Sequence, residues 1–511
     1  MKKENPAKEH YQRLRRLSCE QLWRDEVPAF DRAEGRERFD RVAVVRAVGV
    51  VFSESGTSPQ KEQARQWLRS LLHDPLEKIR RYAMTALPKI SVDRQEEAEL
   101  LTLLEKSTSE REREHLSQTL AKIGGNAALE ATADGQLGLL AQRKVRANVA
   151  RHENSGAIRL NASLADFRGL QIHLHCRAGL AEILADEVIE SIQTGAPFRL
   201  VDRQRELVIV EPIRAFRLAD IYQLRCFSAV GVVPSELSKA ENEIEAVGNT
   251  VASPPARRVL EAFTAGPIRY RLEFVSRGHQ RGAVRQIADR VYAINPALLN
   301  DPRNALWQIN VHDSPKLFVE LTPRLRPDPR YVWRVSDVPA ASHPALAACM
   351  ARLAGPRDRE VVWDPFCGSG LELIERTLRG GVRTIFGTDH NSEALAIARR
   401  NLAAASKSRI PTTLVHCDFR DYSTVPGLRP GTASLIITNP PLGRRVPIPD
   451  LSRLIEDLFR VASTVLIPGG RLVFVNPLPI APGARTLDRE FRREIDLGGF
   501  HAHLEKYVRT R

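Results

Sequence analysis

Residues 361–370 read VVWDPFCGSG, and this stretch decides the fold of the C-terminal part of the chain. Val361, Val362 and Trp363 predict the end of a buried strand, and the glycine-rich turn after them opens a helix at Leu371. Such a turn lets the backbone approach a ligand closely, because glycine has no side chain. A G-x-G turn alone is a weak indicator, so the strands that follow carry more weight.

Three further strands are expected, at 384–387, 412–415 and 434–438. The first of these ends in Asp389, nineteen residues after Gly370, a spacing at which an acidic residue can hold ribose hydroxyls. The other two are followed by Cys417-Asp418 and by the sequence NPPLG. Ligands of an open parallel sheet bind at the carboxyl ends of its strands, so four consecutive ends of this kind predict one binding site.

These motifs, DPFCGSG with TDH, HCD and TNPPLGRR, resemble those of class I S-adenosylmethionine-dependent methyltransferases, most of all the THUMP-domain RNA guanine-N2 methyltransferases. The resemblance covers about residues 160–511 and is specific over 334–475. Residues 179–188 resemble the start of the family's N-terminal subdomain, and 334–355 its linker into the catalytic domain. It implies a Rossmann-like α/β catalytic domain with S-adenosylmethionine as cofactor.

The resemblance also implies a role for each motif residue. The residues implied to bind the cofactor are Asp364, Phe366, Gly368, Ser369, Gly370, Asp389, His390 and Asp418. The first five would cradle the methionine part, Asp389 would bind the ribose, and Asp418 would hold the adenine. The implied catalytic segment is Asn439, Pro440, Pro441 and Leu442. Leu442 departs from the family pattern, which has an aromatic residue there to stack on the target base.

The chemistry implied for this segment is transfer of a methyl group to an exocyclic amine. The lone pair of a guanine amine is delocalised into the ring, so the amine is a weak nucleophile. Two acceptors, the Asn439 side chain and the Pro440 carbonyl, would orient it. No metal is needed, and the absence of a cysteine from NPPLG argues against cytosine-C5 methylation, which requires a nucleophile.

Residues 157–335 predict an α+β region with an antiparallel sheet, which the resemblance implies is a THUMP-like RNA-binding region. Alternating residues predict strands at 268–274, 307–311 and 317–321, and a stripe over 284–291 predicts a helix. Residues 257–334 hold 14 basic and 7 acidic side chains. The candidate RNA contacts are Arg277, Arg281, Arg285, Arg444 and Arg445, and an ordinary solvated surface is the alternative.

Two HxH pairs, His173 with His175 and His501 with His503, could bind metal. The sequence shows no further ligand at a suitable spacing. We therefore expect solvent-facing histidines and no metal site.

Residues 1–153 predict helices only. The segment 74–90, DPLEKIRRYAMTALPKI, has a related pattern 33 residues later and resembles HEAT-type repeats, with a plain helical bundle as the alternative. Such repeats could bind a protein partner. Residues 154–156 are the expected linker to the central region.

The whole chain has 511 residues, of which 43% are hydrophobic and 27% charged, so it is globular and multidomain. The expected domains are 1–153, 157–335 and 336–511. The net charge of +14 favours a polyanionic partner. The absence of a long apolar run and six scattered cysteines predict a cytoplasmic protein without a membrane span.

Together these features predict an RNA methyltransferase that forms N2-methylguanosine, with tRNA favoured as the substrate. The alternatives are the same chemistry on 23S ribosomal RNA, protein glutamine N5-methylation, and an RNA-binding scaffold with impaired catalysis.

Overall fold

The computed structural model describes residues 6–90, 94–133, 137–153, 156–237, 239–313, 316–338, 341–405, 410–443, 448–483 and 486–510. Residues 154 and 155 of the expected linker lie outside this description, and so do Arg444 and Arg445. Within it, no helix has both the length and the apolar character that crossing a membrane requires.

The first part of the chain is helical over its described residues, as the sequence predicts. Its helices are α1 Pro6–Arg15, α2 Cys19–Gln21, α3 Val27–Arg32, α4 Gly35–Asp40, α5 Ala43–Ser55, α6 Ser58–Ser70, α7 Glu77–Ile90, α8 Arg94–Lys106, α9 Glu110–Ile123, α10 Asn126–Ala133 and α11 Leu139–Glu153. A π-helical turn at Leu22–Glu26 and a 3-10 turn at Leu71–His73 complete it. These helices share a core of their own, which suits stacked repeats and a plain bundle equally, so the HEAT assignment stays a prediction.

The central part of the chain holds an eight-stranded sheet with the order β10-β9-β11-β12-β7-β3-β5-β4. Its elements are β1 Ala157–Ile158, β2 Ser163–Leu164, β3 Leu170–His175, α12 Ala181–Gln193, β4 Phe198–Arg203, β5 Leu207–Pro212, β6 Phe216–Arg217, α13 Leu218–Ile221, β7 Ala229–Pro234, α14 Glu243–Val251, α15 Pro254–Ala262, β8 Thr264–Ala265, β9 Ile268–Phe274, α16 Arg281–Ile294, β10 Leu298–Asn300, β11 Trp307–His312, β12 Phe318–Pro323 and a 3-10 turn at Pro329–Tyr331.

The expectation of an antiparallel central sheet is wrong at one of its strands, β9. Strand β9 runs parallel to both of its neighbours, β10 and β11. The physical reason is the helix α16, which carries the chain from the end of β9 back to the level where β10 starts, as a parallel crossover requires. The strand and helix positions within this region agree with the sequence pattern.

The C-terminal part is the expected α/β unit. Its elements are α17 Pro344–Ala354, β13 Glu360–Asp364, α18 Leu371–Leu378, β14 Val382–Asp389, α19 Ser392–Ala405, β15 Thr412–His416, a 3-10 turn at Phe419–Thr424, β16 Ala433–Thr438, α20 Leu451–Val465, β17 Leu466–Asn476, β18 Leu487–Asp496 and β19 His501–Arg509. The strand order is β15-β14-β13-β16-β17-β19-β18, with β13 to β17 parallel. From β13 the chain adds β14 and β15 on one side and then returns to add β16 and β17 on the other side. Sheets of this kind bind ligands at such a reversal, which here lies between β13 and β16.

A buried ion pair joins the central and C-terminal parts of the chain. Nε of Arg225 donates to Oε2 of Glu375 at 2.7 Å, and Nη2 of Arg225 donates to Oε1 at 2.7 Å. The Glu375 side chain, on α18, is only 1% exposed. A bidentate pair of this kind fixes orientation as well as distance.

A backbone contact at Gly179 tightens the same junction. Gly179 has a φ of +91°, and a Cβ atom there would lie 2.0 Å from the carbonyl oxygen of Glu494. The amide of Asp496 also donates to the carbonyl of Ala178 at 3.1 Å. Only glycine therefore allows the loop before α12 to lie directly on the end of β18.

We expect Glu375→Ala to lower the free energy of unfolding of the packed central and C-terminal unit by about 3 kcal/mol, because it leaves the Arg225 guanidinium unpaired in a largely buried position. Guanidinium denaturation followed by circular dichroism measures this. Glu456→Ala, at an exposed position of α20, is the matched control and should change stability by no more than about 0.5 kcal/mol. Equal effects of the two substitutions would contradict the role given to the pair.

Candidate active site

A cavity of about 450 Å³ opens at the carboxyl ends of β13, β14 and β16. Residues from the central part, the C-terminal part and the β18–β19 hairpin share its lining. They are Arg177, Val338, Ala341, Ser342, His343, Leu346, Phe366, Cys367, Gly368, Ser369, Leu371, Glu372, Asp389, His390, Asn391, Ala394, Asn439, Pro440, Pro441, Leu442, Leu497, Gly498 and Phe500.

The glycine-rich turn forms one side of this cavity. Phe366, Gly368 and Ser369 are in its lining, and Asp364 and Gly370 are not. Asp364 is fully buried beneath the turn, where one carboxylate oxygen accepts from the Phe366 amide at 3.0 Å and from the Thr438 hydroxyl at 2.5 Å. Burial raises the pKa of Asp364 well above its usual range. Asp364 thus shapes the turn from below, and direct contact with a cofactor stays a prediction.

Asp389 holds the position that the sequence predicts at the end of β14. Its Oδ2 accepts from the Gly368 amide at 2.9 Å, and its Oδ1 accepts from the Asn391 amide at 2.9 Å. Carboxylate oxygens have further lone pairs, so both can still accept from a ligand. The carboxylate is therefore fixed in place on the cavity wall, with His390 beside it in the lining.

Asp418 does not line the cavity. Its carboxylate accepts from the amide of Arg420 at 2.8 Å, which caps the 3-10 turn, and from Nη1 of Arg420 at 2.8 Å. The adenine contact assigned to it stays a prediction that this geometry does not favour.

Asn439 and the residues after it bring the catalytic segment to the cavity. Nδ2 of Asn439 donates to Oγ of Ser342 at 2.8 Å, and Ser342 in turn donates to Oε1 of Glu372. The Oδ1 atom of Asn439 is buried and has no hydrogen-bond partner among the described residues. Because the side-chain nitrogen of Asn439 donates to Ser342, the side-chain oxygen Oδ1 is the atom that is available to accept from a ligand.

The sequence did not point to Ser342 or Glu372. Glu372 lies on the first turn of α18 and is buried in the cavity wall, and this burial raises its pKa. An acidic residue just after the glycine turn was a signal for it. Ser342 had none, because nearly a hundred residues separate it from Asn439.

Among the candidate RNA contacts that the structure describes, Arg277, Arg281 and Arg285 do not line the cavity. Arg277 is paired on both sides, with Glu243 at 2.9 Å and with Asp313 at 2.5 Å. Arg281 and Arg285 are exposed on the first turns of α16. Arg285 lies 3.9 Å from Asp289, at the limit of an ion pair, but its side chain stays 63% exposed. Arg281 and Arg285 are therefore more available to a phosphate than Arg277.

The expectation of solvent-facing histidines is wrong for His173. It is buried because β3 lies inside the sheet and Phe318 packs against its ring, with the ring centroids 5.4 Å apart. This burial lowers the pKa of His173 to about 4. His501 is exposed as expected and pairs with Glu494 at 2.9 Å.

Comparison with known proteins gives the site its class. Residues 332–491 match the family model described as RMKL-like, methyltransferase domain. The tRNA (guanine(10)-N2)-dimethyltransferase of Methanothermobacter thermautotrophicus is 31% identical over 150 residues, which are 29% of this chain and 39% of that protein. The chain thus matches well under half of the length of this curated relative.

Two solved structures show the same fold. TrmN from Thermus thermophilus has a TM-score of 0.53 and 20% identity, and the match covers 66% of this chain and 99% of that one. SMU.472 in complex with SAH has a TM-score of 0.50 and 13% identity, and the match covers 69% of this chain and 99% of that one.

The chain therefore carries a methyltransferase domain whose cofactor is S-adenosylmethionine. The residues present fit this group. A Cβ atom at Gly368 would have nothing closer than Val338 Cγ2 at 3.9 Å, so the turn leaves open space at the cavity, and Asp389 offers a fixed carboxylate for a diol. Gly368, Ser369 and Asp389 are the residues that would hold it.

We expect Asp389→Ala to weaken S-adenosylmethionine binding by roughly 10- to 100-fold, as for the loss of charged hydrogen bonds of about 1.5–3 kcal/mol. Isothermal titration calorimetry on the full chain measures this. Asp421→Ala, at an exposed position of the 3-10 turn, is the control and should bind as the unaltered chain does. Unchanged affinity in Asp389→Ala would remove the ribose assignment.

Proposed function

We propose that this chain is an RNA methyltransferase that forms N2-methylguanosine, with tRNA as its substrate. The observation that carries the proposal is the buried Oδ1 atom of Asn439, which has no partner among the described residues and belongs to a side chain of the cavity lining. A buried acceptor without a donor is costly, unless a ligand supplies one. The archaeal relative, a tRNA guanine-N2 dimethyltransferase, supports an amine as that ligand.

Bound S-adenosylmethionine supplies an electrophilic methyl group, and the residues of the chain prepare the amine. Oδ1 of Asn439 accepts a hydrogen bond from one N–H of the amine, and the Pro440 carbonyl accepts one from the other N–H. Ser342 and Glu372 hold the Asn439 amide so that Oδ1 cannot exchange places with Nδ2. The two prolines fix φ in the turn, so the acceptors are in position before the base arrives.

The base needs an apolar or aromatic surface beside it. Leu442 lines the cavity, although the related enzymes have an aromatic residue at its position. Phe500, from the loop between β18 and β19, lines the same cavity and is aromatic. We assign the stacking surface to Phe500, with Leu442 as a further apolar part of the lining, since stacking on an aromatic ring stabilises a base by about 1–3 kcal/mol.

The RNA-binding face that we propose centres on α16. The N-terminal helix α11 packs beside it, with Nη2 of Arg143 at 3.3 Å from Oδ1 of Asp289. Burial lowers the pKa of Lys144 on α11, and the charges of Arg143 and Arg285 lower it further. Basic side chains contributed by two neighbouring helices suit a structured RNA rather than a short peptide.

We expect Asn439→Ala to lower the rate of methyl transfer to a tRNA by about a hundredfold, because one preorganised contact to the reacting amine is lost. Cofactor affinity should not change, since Gly368 and Asp389 keep their positions. Initial rates with radiolabelled cofactor and calorimetry measure the two quantities.

Ser342→Ala separates orientation from contact. It frees the Asn439 amide to rotate, so turnover should fall less than in Asn439→Ala, and Ser342→Thr should restore it. Nucleoside mass spectrometry of the product identifies the base, and ribosomal RNA and a glutamine peptide are the competing substrates. Wild-type turnover in Asn439→Ala would refute amine recognition by this residue.

We expect Arg281→Glu with Arg285→Glu to weaken tRNA binding at least about tenfold and to reduce the slope of log K against log salt by about 2. The matched control reverses two charges on the opposite edge of the same sheet, Arg199→Glu with Arg203→Glu on β4. Filter binding at several salt concentrations measures both. The proposed face is refuted if the two double variants lose affinity equally.

A further inference from the structure

Four side chains of metal-binding types meet on one face of the central sheet. They are His173 and His175 from β3, His312 from β11, and Glu320 from β12. Nε2 of His175 lies 2.6 Å from Oε1 of Glu320, and Nε2 of His312 lies 3.3 Å from Oε2. One ligand atom from each of His173, His175 and Glu320 lies within 4.8 Å of the others, and His312 lies at the edge of this group, next to the second Glu320 oxygen.

The sheet is built to bring these groups together. Strand β7 lies between β3 and β12, and Gly231 of β7 pairs with His173. A Cβ atom at Gly231 would lie 2.0 Å from Cγ of Glu320. The missing side chain therefore lets Glu320 lie across β7 and reach the histidines of β3. Any other residue at 231 would push the carboxylate away.

One nitrogen in the cluster has no role in the described structure. His173 has a side chain that is 8% exposed, and its Nδ1 atom has no hydrogen-bond partner among the described residues. That atom lies 3.8 Å from Oε1 of Glu320, too far for a hydrogen bond. This buried imidazole nitrogen lies beside a carboxylate and two more imidazoles, and these groups together could serve as the ligands of a cation.

We propose that His173, His175 and Glu320 bind one divalent transition metal ion, with His312 at the edge of the cluster as the fourth ligand and Zn²⁺ as the ion that fits the set best. Imidazole nitrogens with one carboxylate are preferred ligands of Zn²⁺, and a fourth protein ligand makes the site closed and structural. None of the four lines the cavity, which sets the site apart from the methyl-transfer chemistry.

The position of the site indicates what the metal would do. Strand β12 aligns with β7 at one residue pair, Leu321 with Val232, among the described residues. This junction joins the half-sheet β3-β4-β5-β7 to the half-sheet β9-β10-β11-β12. The histidines of β3 lie on one side of the junction, and His312 and Glu320 lie on the other. A metal ion bound by all four would cross-link the two halves.

The test uses the untagged full chain after treatment with a chelator. Titration with Co²⁺ should produce the visible absorption of a tetrahedral site, saturating at one equivalent, and Zn²⁺ should displace it. Bound Zn²⁺ should also raise the melting temperature. Glu320→Gln and His175→Ala should each weaken metal binding by about 100-fold or more.

The chain offers a matched control in its second HxH pair. His501→Ala with His503→Ala removes two histidines at the same spacing on β19, of which His501 is exposed and His503 half-buried, and Co²⁺ binding should stay unchanged. If Glu320→Gln fails to fold, His312→Asn replaces it, since His312 is at the edge of the cluster.

Three outcomes would overturn the proposal. They are absence of tetrahedral Co²⁺ absorption in the unaltered chain, no rise in melting temperature with Zn²⁺, or loss of binding in the His501 and His503 variant alone. Each of these readouts is independent of methylation, so failure here leaves the proposed RNA chemistry untouched.

Discussion

The carboxylate of Asp364 joins the two turns on which the cavity depends. One oxygen accepts from the Phe366 amide in the glycine-rich turn and from the Thr438 hydroxyl at the end of β16. The glycine-rich turn and the turn that carries Asn439 are thereby fixed to one buried group. Since the carboxyl is fully buried, water does not compete for these bonds, and the spacing between the two turns is set by the protein alone.

The sequence was a good guide to the C-terminal fold because its signals there are local. Each strand end after β13 is marked by residues within a few positions, and the resemblance adds their order. The same locality explains where it was incomplete. The hydrogen bonds that link Glu372, Ser342 and Asn439 depend on three segments that meet only in the folded protein. The carboxylate of Asp418 is bound by Arg420, two residues away. No periodic pattern or motif in the sequence predicts either of these contacts.

The central sheet shows the same limit on a larger scale. The alternation at 268–274 predicts a strand correctly, but nothing in it states whether the neighbouring strands run parallel. The HxH spacing of β3 was visible, yet its further ligands lie on β11 and β12, more than a hundred residues later. The pairing of distant strands, and the small residue at 231 that permits it, decides whether such histidines are exposed or gathered.

The contact at Gly179 has a mechanical consequence. The backbone of the central part rests on the carbonyl of Glu494 with no side chain between them, and Arg225 is bound at the same junction. These contacts hold the central part, which carries α16, against the C-terminal part, which carries most of the cavity lining. If RNA binds along α16 as we propose, the methyl donor lies at a fixed distance from the point of attachment. The protein would then select its target nucleotide by the distance of that nucleotide along the RNA from the point of attachment, before the base itself is bound.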